Sequence, residues 1–304
     1  MSASDLSARL ACVQRTWTPQ QRLHVGNVAW VGARADGSRV PDAALEWGDP
    51  LEGFADVWQS DVGDEPAEAS LHVAPDAGIA RRAGTVDELL HVAPRVTVEV
   101  SRADTALVAA LVKRGFRWAE GPWFVQLWRN LTDLSDLTAH AVADGYSIRP
   151  VRQNELAERV DVHRRCWAPA RIKAMLGLPV AEAEPASSYS IDIHRAVMGS
   201  LVYQGELDMV AVAADGSLAA YGLGWLDVDS GCVLFEPVGT DPDHTKRGLA
   251  RALCAEILRA ARDLGAIQAI VGPRGDSRYP VPRRTYAGLG MREVGQFVSL
   301  TTPP

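Results

Sequence analysis

Between residues 209 and 240 short apolar runs alternate with turn pairs. Met209–Val212, Leu218–Val228 and Cys232–Thr240 are separated by Asp215-Gly216 and by Asp229-Ser-Gly231, which predicts a three-strand meander. From Gly248 the period changes. Leu249, Leu253, Ile257 and Ala261 share a stripe with Ala250, Cys254 and Leu258, while Arg251, Glu256, Arg259 and Arg262 fall elsewhere. That is an amphipathic helix ending at Gly265. A buried strand at Ile267–Val271, a short helix around Arg283–Leu289 and a last strand near Gly295–Leu300 follow. Upstream, Tyr146–Val151 reads as a strand, Asn154 is placed to cap a helix reaching Trp167, and residues 170–200 read as further helix with a loop where Pro179 and Pro185, the latter outside the residues described below, interrupt the pattern. Strand, helix and strand after a meander make an α+β unit with a mixed sheet.

The first half echoes this pattern. His72-Val-Ala-Pro-Asp76 parallels Gly239-Thr-Asp-Pro-Asp243, Val96–Val100 is a strand, Thr105–Arg114 a helix, and Arg114-Gly-Phe116 stands where Leu289-Gly-Met291 stands later. The first correspondence is offset by 167 residues and the last by 175, so eight residues are missing; the expected place is the amphipathic helix. Two related units are expected, at 1–135 and 147–304, joined by a polar linker at 136–146.

Composition narrows the class. The 304 residues are 47% apolar and 23% charged, an ordinary globular balance. Residues 1–145 hold 13 basic and 20 acidic side chains and the remainder holds 18 of each, so neither half offers the basic surface that nucleic acid requires. No apolar run approaches the ~20 residues that cross a bilayer, and the first thirty lack a basic start followed by an apolar core. A cytoplasmic protein without membrane or nucleic-acid partner is the expectation. Cys12, Cys166, Cys232 and Cys254 show no paired spacing and read as buried thiols, and no HExxH or Cys/His cluster suggests a metal.

The chemistry concentrates at Phe235-Glu-Pro-Val-Gly-Thr-Asp-Pro-Asp-His-Thr-Lys-Arg-Gly-Leu-Ala-Arg-Ala-Leu253. A strand ends, a loop with Lys246, Arg247 and Gly248 follows, and a helix starts at once. Free N–H groups at a helix start, with the positive end of its dipole, bind anions. Gly248 leaves the backbone uncovered, and Lys246, Arg247 and Arg251 add charge. A pyrophosphate suits this arrangement.

These residues resemble the GCN5-related N-acetyltransferases (GNAT). The family's acetyl-coenzyme A loop reads Arg/Gln-x-x-Gly-x-Gly/Ala, and Thr245-Lys-Arg-Gly-Leu-Ala250 matches it at Gly248 and Ala250, with Thr245 departing at the first position. The flanking Val-Gly-Thr-Asp-Pro-Asp-His, the meander and Tyr286-Ala-Gly-Leu-Gly-Met291 extend the resemblance over roughly 146–302, with 20–130 a degenerate copy. It implies two GNAT-like domains, each a mixed, mostly antiparallel sheet flanked by helices. It also implies acetyl-coenzyme A as acetyl donor and the amine of a small molecule or peptide as acceptor, with direct transfer in a ternary complex. The strand before the loop would splay from its neighbour, Pro237 being a local reason for a bulge. Val238, Gly239 and Thr240 would contact pantetheine, and Thr245, Lys246, Arg247, Gly248, Leu249, Ala250 and Arg251 the pyrophosphate. Two alternatives are a tandem acyltransferase of the mycothiol synthase type and a catalytically silent acyl-coenzyme A sensor.

The reaction needs a proton for the leaving thiolate and somewhere for the amine's proton to go. By resemblance Tyr286 supplies the first and Glu236, through water, takes the second; the plain alternatives are a core tyrosine and a structural glutamate. His244 is expected to stabilise the loop, and His163 and His194 to be satisfied helix residues. Tryptophans such as Trp118, Trp123 and Trp128 read as core or interface. In the first unit Arg81 falls at the place of Gly248 and Leu111 at that of Tyr286, while Thr85 and Glu88 look like a capping box. That unit is expected to be a scaffold.

Overall fold

The structure is a computed structural model and describes residues 3–35, 37, 40–61, 65–184 and 186–304. The first half runs α1 (Ala3–Arg15), α2 (Val25–Gly32), β1 (Ala43–Trp47), β2 (Gly53–Trp58), β3 (Ala67–Val73), α3 (Ile79–Val92), β4 (Val96–Ser101), α4 (Thr105–Lys113), β5 (Arg117–Trp118) and β6 (Phe124–Asn130). The second runs β7 (Tyr146–Pro150), α5 (Leu156–Cys166), α6 (Pro169–Met175), α7 (Ile191–Met198), β8 (Asp208–Ala213), β9 (Leu218–Asp227), β10 (Cys232–Thr240), α8 (Leu249–Asp263), β11 (Gln268–Val271), α9 (Val281–Ala287) and β12 (Arg292–Thr301). This is an α+β fold, and the meander and its amphipathic helix stand within a residue or two of their expected places.

The described strands form one sheet rather than two. Its order is β1-β2-β3-β4-β12-β6-β11-β10-β9-β8-β7, with β5 beside β12. Only β3–β4 and β10–β11 are parallel. The halves exchange strands: β12, from the end of the chain, pairs with β4, and β6, from the first half, pairs with β11. The two then pair with each other. Each strand therefore fills the gap that the other half would otherwise leave as an open edge.

Alternation along β9 sorts the layers. Gly222 and Gly224 face α8 and let it approach closely; a Cβ there would stand 2.6 Å from Leu253 and 2.8 Å from Ile257. The residues between face the other way. Tyr221 lies under α5, where a Cβ on Gly239 would meet both it and Cys166, and Trp225 lies under α2, where Gly26 leaves room for the indole. Leu249, Leu253, Cys254, Ile257, Leu258 and Ala261 are all buried, so the predicted stripe is the face that packs. Burying each large aliphatic side chain is worth about 1.5–3 kcal/mol.

Several local expectations change. Asn154 does not cap α5; the Glu155 carboxylate accepts from the Arg152 N–H and pairs with Arg149, closing a 3-10 turn before the helix. The segment after β6 is packed rather than a loose tether, because Leu131, Leu134 and Leu137 are buried beside α8. The missing residues of the first half are not in its helix: α3 has 14 residues and α8 has 15. The chain shortens in the loops: four residues separate β3 from the α3 cap where seven separate β10 from the α8 cap, and three separate β4 from α4 where nine separate β11 from α9. Gly78, not Arg81, therefore stands at the place of Gly248. Thr85 lies inside α3 and bonds back to the Arg82 carbonyl, while Glu88 accepts from the Trp47 indole, so they form no capping box. Trp118 is exposed, with Arg102 over its ring.

A polar cluster is sealed between β8, β9 and the helices over them. Arg159 pairs with Asp208 at 2.8 Å and lies 3.9 Å from the centre of the Tyr221 ring. The Tyr221 hydroxyl meets His163 Nδ1, and the Tyr189 hydroxyl meets His194 Nδ1, each at 2.8 Å. Burial favours the neutral imidazole and pushes the pKa of His24, His72 and His194 down to about 4 and of His163 to about 3. All four histidines are thus satisfied or sealed within the fold rather than presented at its surface.

Below pH 6.5 the unfolded chain takes up protons that these rings refuse in the fold. Their contribution is complete above that pH and is lost as pH falls toward 4. Between pH 6.5 and 5 the loss is about 2 kcal/mol for each ring. Denaturant unfolding at pH 7 and pH 5 should show a large drop in midpoint; an unchanged midpoint would mean the rings are not held neutral.

Candidate active site

The site begins with a missing donor. Pro237 has no N–H to give a ladder, and the β9–β10 register slips there: Phe235 opposes Gly224 and Val238 opposes Gly222, so Glu236 and Pro237 together face Leu223. The Trp225 indole donates to the Glu236 carbonyl at 2.7 Å and fastens the bulge to β9. On its other side β10 pairs with β11 only from Cys232 to Leu234, then continues alone to Thr240. The two parallel strands part at the bulge and leave a wedge.

The wedge has polar edges. The Asp241 N–H bonds to Ala219, so Gly239 turns its peptide groups toward β9, and Val238 and Thr240 turn theirs into the wedge. Thr240 confirms this alternation, because its carbonyl accepts from Arg171 Nη1 at 3.1 Å across the opening. Arg171 also holds the Cys166 carbonyl, tying α6 to the end of α5.

The chain then turns into α8. Asp241 accepts from the Asp243 N–H and pairs with Arg165, which fixes the first turn of the loop. The exposed Thr245 donates its hydroxyl to the Pro242 carbonyl and so braces the loop. His244 meets the Tyr146 hydroxyl at 2.9 Å, the loop-stabilising role expected for it. Lys246 and Gly248 adopt positive φ, 62° and 75°, and Gly248 is the helix cap. Glycine takes that conformation at no steric cost, and open space lies where its Cβ would be. Among the described residues nothing accepts from the N–H groups of Lys246, Arg247, Gly248, Leu249 or Ala250. Five donors at one helix start form an anion cradle without side-chain help. Lys246 and Arg247 are exposed beside it. Arg251 is different: its guanidinium lies against Gly288, directed at α9, with a buried Nε that bonds nothing.

Tyr286 and Glu236 come together where the strands part. The Tyr286 ring stacks on Phe235, with centroids 6.1 Å apart, and the residue is 8% exposed. Burial pushes its phenol well above the usual range, and the neighbouring Cys254 thiol and Glu236 carboxylate push the same way. Glu236 is half-buried on the bulge. The Tyr279 phenol, also raised by burial, lies in electrostatic range of Arg171 and of Tyr286. Arg171 and Tyr279 escape a reading of the sequence, since neither belongs to a motif and only the fold brings α6 and the loop after β11 to the wedge. Arg283 is turned away onto Glu293. Arg274 and Asp276 pair with each other and shape the loop after β11, as expected.

The first half supplies one wall. Trp123 lies flat on Gly275, where a Cβ would be 2.2 Å from the indole, and the Val125 N–H bonds the Pro273 carbonyl. At the place of Tyr286, the first unit has Leu111 buried in an apolar cluster. Among the described residues no helix is long and apolar enough to cross a membrane, and no group of three or more His, Cys, Asp and Glu could hold a metal ion.

Residues 138–279 match the acetyltransferase (GNAT) domain family. Over 205 residues the chain is 28% identical to a mycothiol acetyltransferase of Kineococcus radiotolerans, a match that takes in 67% of this chain and 61% of that protein. It therefore spans about three fifths of that relative's length. The fold is similar over 98% of the chain to a tandem GNAT protein from the clavulanic acid biosynthesis pathway, at 16% identity and a TM-score of 0.60, covering 94% of that structure. A GCN5-related N-acetyltransferase from Sphaerobacter thermophilus is similar over 98% of this chain and 91% of its own, at 20% identity and a TM-score of 0.55.

Proposed function

We propose that the GNAT acetyltransferase domain carried over residues 138–279 makes this acyltransferase an N-acetyltransferase, moving acetyl from acetyl-coenzyme A to the amine of a small molecule or peptide by direct transfer. One observation carries the reading. The unpaired edge of β10 runs from the Glu236–Tyr286 pair straight into five free N–H groups at the start of α8. An extended amide arm fits the edge and a pyrophosphate fits the cradle.

The thioester supplies the activated acetyl group when bound. The Val238 and Thr240 peptide groups would then hold the arm in register, and Lys246 to Ala250 would hold the phosphates. Glu236, on the bulge, takes the amine proton through water. Tyr286 keeps its proton throughout the neutral range, because burial holds the phenol high, and it donates that proton toward the departing thiolate. We further read residues 1–135 and 147–304 as two units joined through 136–146, the first a scaffold that lends β6 and Trp123 to the site. The acceptor class of the Kineococcus relative is a second reading, favoured by the sequence match alone. Thiol release from acetyl-coenzyme A across an amine panel, with the acetylated product identified by mass spectrometry where the amine itself carries a thiol, tests both. No release with any amine would leave a silent sensor.

Gly248→Glu places bulk and negative charge in the cradle and forces a side chain into left-handed backbone. Coenzyme A affinity should fall by at least 100-fold while the fold persists; calorimetry with unchanged affinity would sink the cradle. Tyr286→Phe should lower kcat by 10-fold or more and leave KM for acetyl-coenzyme A within 3-fold, since only proton donation is lost. Equal turnover would remove Tyr286 from the mechanism. Glu236→Gln should move the pH profile of kcat upward, toward pH values at which the amine is already neutral. A profile that does not move would leave Glu236 a structural residue.

A further inference from the structure

The segment that builds the cradle is short of a side-chain donor. Its first position, which the family pattern fills with arginine or glutamine, is Thr245, and the Thr245 hydroxyl proton is spent on the Pro242 carbonyl. Arg251, a turn into α8, lies against Gly288 instead of the cradle. The backbone N–H groups of the cradle thus lack the partner that the pattern would give them.

Another guanidinium reaches the same edge from the other side of the wedge. Arg171 comes from α6, is half-buried, and its Nη1 donates to the Cys166 carbonyl at 2.7 Å and to the Thr240 carbonyl at 3.1 Å. A guanidinium has five N–H donors, so three are left, on Nε and Nη2. Among the described residues these bond nothing, and neither nitrogen is sealed from solvent.

Its charge is equally unspent. Asp241, next to Thr240, pairs with Arg165, and around the opening Lys173 pairs with Glu184, Arg274 with Asp276 and Arg283 with Glu293. Among the described residues no carboxylate pairs with Arg171. A half-buried cation held by two neutral carbonyls gains a stronger, charge-assisted bond when one of them is exchanged for a phosphate oxygen.

Position decides which anion it meets. Thr240 is the last residue of β10 and stands four residues beyond Glu236, about 10–13 Å along an extended strand. Arg171 is therefore at the cradle end of the edge, away from the Glu236–Tyr286 pair where an acceptor amine must sit. The Thr240 carbonyl that it covers is also one of the groups that an extended amide arm would take.

We propose that Arg171 is a coenzyme-binding residue supplied from outside the motif. With acetyl-coenzyme A bound, the arm takes the Thr240 carbonyl, the Cys166 carbonyl keeps one Nη1 proton, and the remainder of the guanidinium turns onto the diphosphate. The phosphate site is then two-sided, with backbone N–H groups from α8 and a cation from α6 in place of the donor that Thr245 does not provide. This inference rests on the acetyltransferase reading of the site.

The test is calorimetry on the full chain with coenzyme A and with 3′-dephospho-coenzyme A, at low and at high salt. Arg171→Gln removes the charge but keeps a neutral donor for the Cys166 carbonyl. It should weaken both ligands at least 10-fold at low salt in protein with wild-type circular dichroism, and the loss should shrink at high salt, where screening weakens the attraction in the wild type alone. Arg171→Lys keeps the charge and should stay within 5-fold of the wild type. Affinity within 2-fold of the wild type in Arg171→Gln overturns the proposal. A loss that persists undiminished at high salt does so too, since it would leave Arg171 only tying α6 to α5. A loss confined to coenzyme A also overturns it, by placing Arg171 on the 3′-phosphate. A wild-type chain that binds neither ligand overturns the acetyltransferase reading and this inference with it, whereas an indifferent Arg171→Gln beside a binding wild type overturns this inference alone.

Discussion

The parting of β10 from β11 at Glu236-Pro237 is the constraint on which the rest depends. A proline cannot donate to a ladder, so the strand must bulge there, and the bulge reverses which residues face which neighbour beyond it. Without the slip, β10 and β11 could continue to zip together and no edge would remain for an extended ligand. With it, Val238 and Thr240 offer their peptide groups to the wedge while Gly239 stays paired to β9. The Trp225 indole on the Glu236 carbonyl keeps the bulge where it is.

A wedge inside a sheet is a liability, because its walls want to close. Two features hold it open. Bulky groups occupy its apex, where Phe235 and Tyr286 stack, and the far wall is clamped from behind by β6, which pairs with β11 and so fixes it. That clamp comes from the first half of the chain, and β12 goes the other way to sit beside β4. The exchange makes each half's sheet incomplete without the other. The first half has no left-handed cap before α3 and has Leu111 at the place of Tyr286, yet its β6 is structural material for the sheet of the second half.

The two wedges differ in how the chain leaves them. Both pairs of parallel strands part, and both lead to a helix of similar length. Only β10 is followed by enough chain to form a left-handed cap with uncovered N–H groups. At α3 the shorter loop points carbonyls at Arg82 instead. The helix dipole is present in both, so backbone geometry before the helix, rather than the helix itself, separates them.

Periodicity alone determined the meander, the amphipathic stripe of α8 and the mixed α+β class, because these depend on local backbone preference and on one buried face. The cradle was legible for the same reason: Gly248 and its neighbours are contiguous, and their chemistry lies in the backbone. Tertiary structure decided what depends on residues far apart in sequence. The exchange of β6 and β12 leaves no local signal, since a strand reads alike whichever half it pairs with. Arg171 and Tyr279 look like ordinary polar loop and helix residues until folding sets them at one opening. The eight residues missing from the first half could be counted but not placed. Only the observed ends of α3 showed that loops shortened while the helix stayed whole, as it must to cover a sheet of the same width.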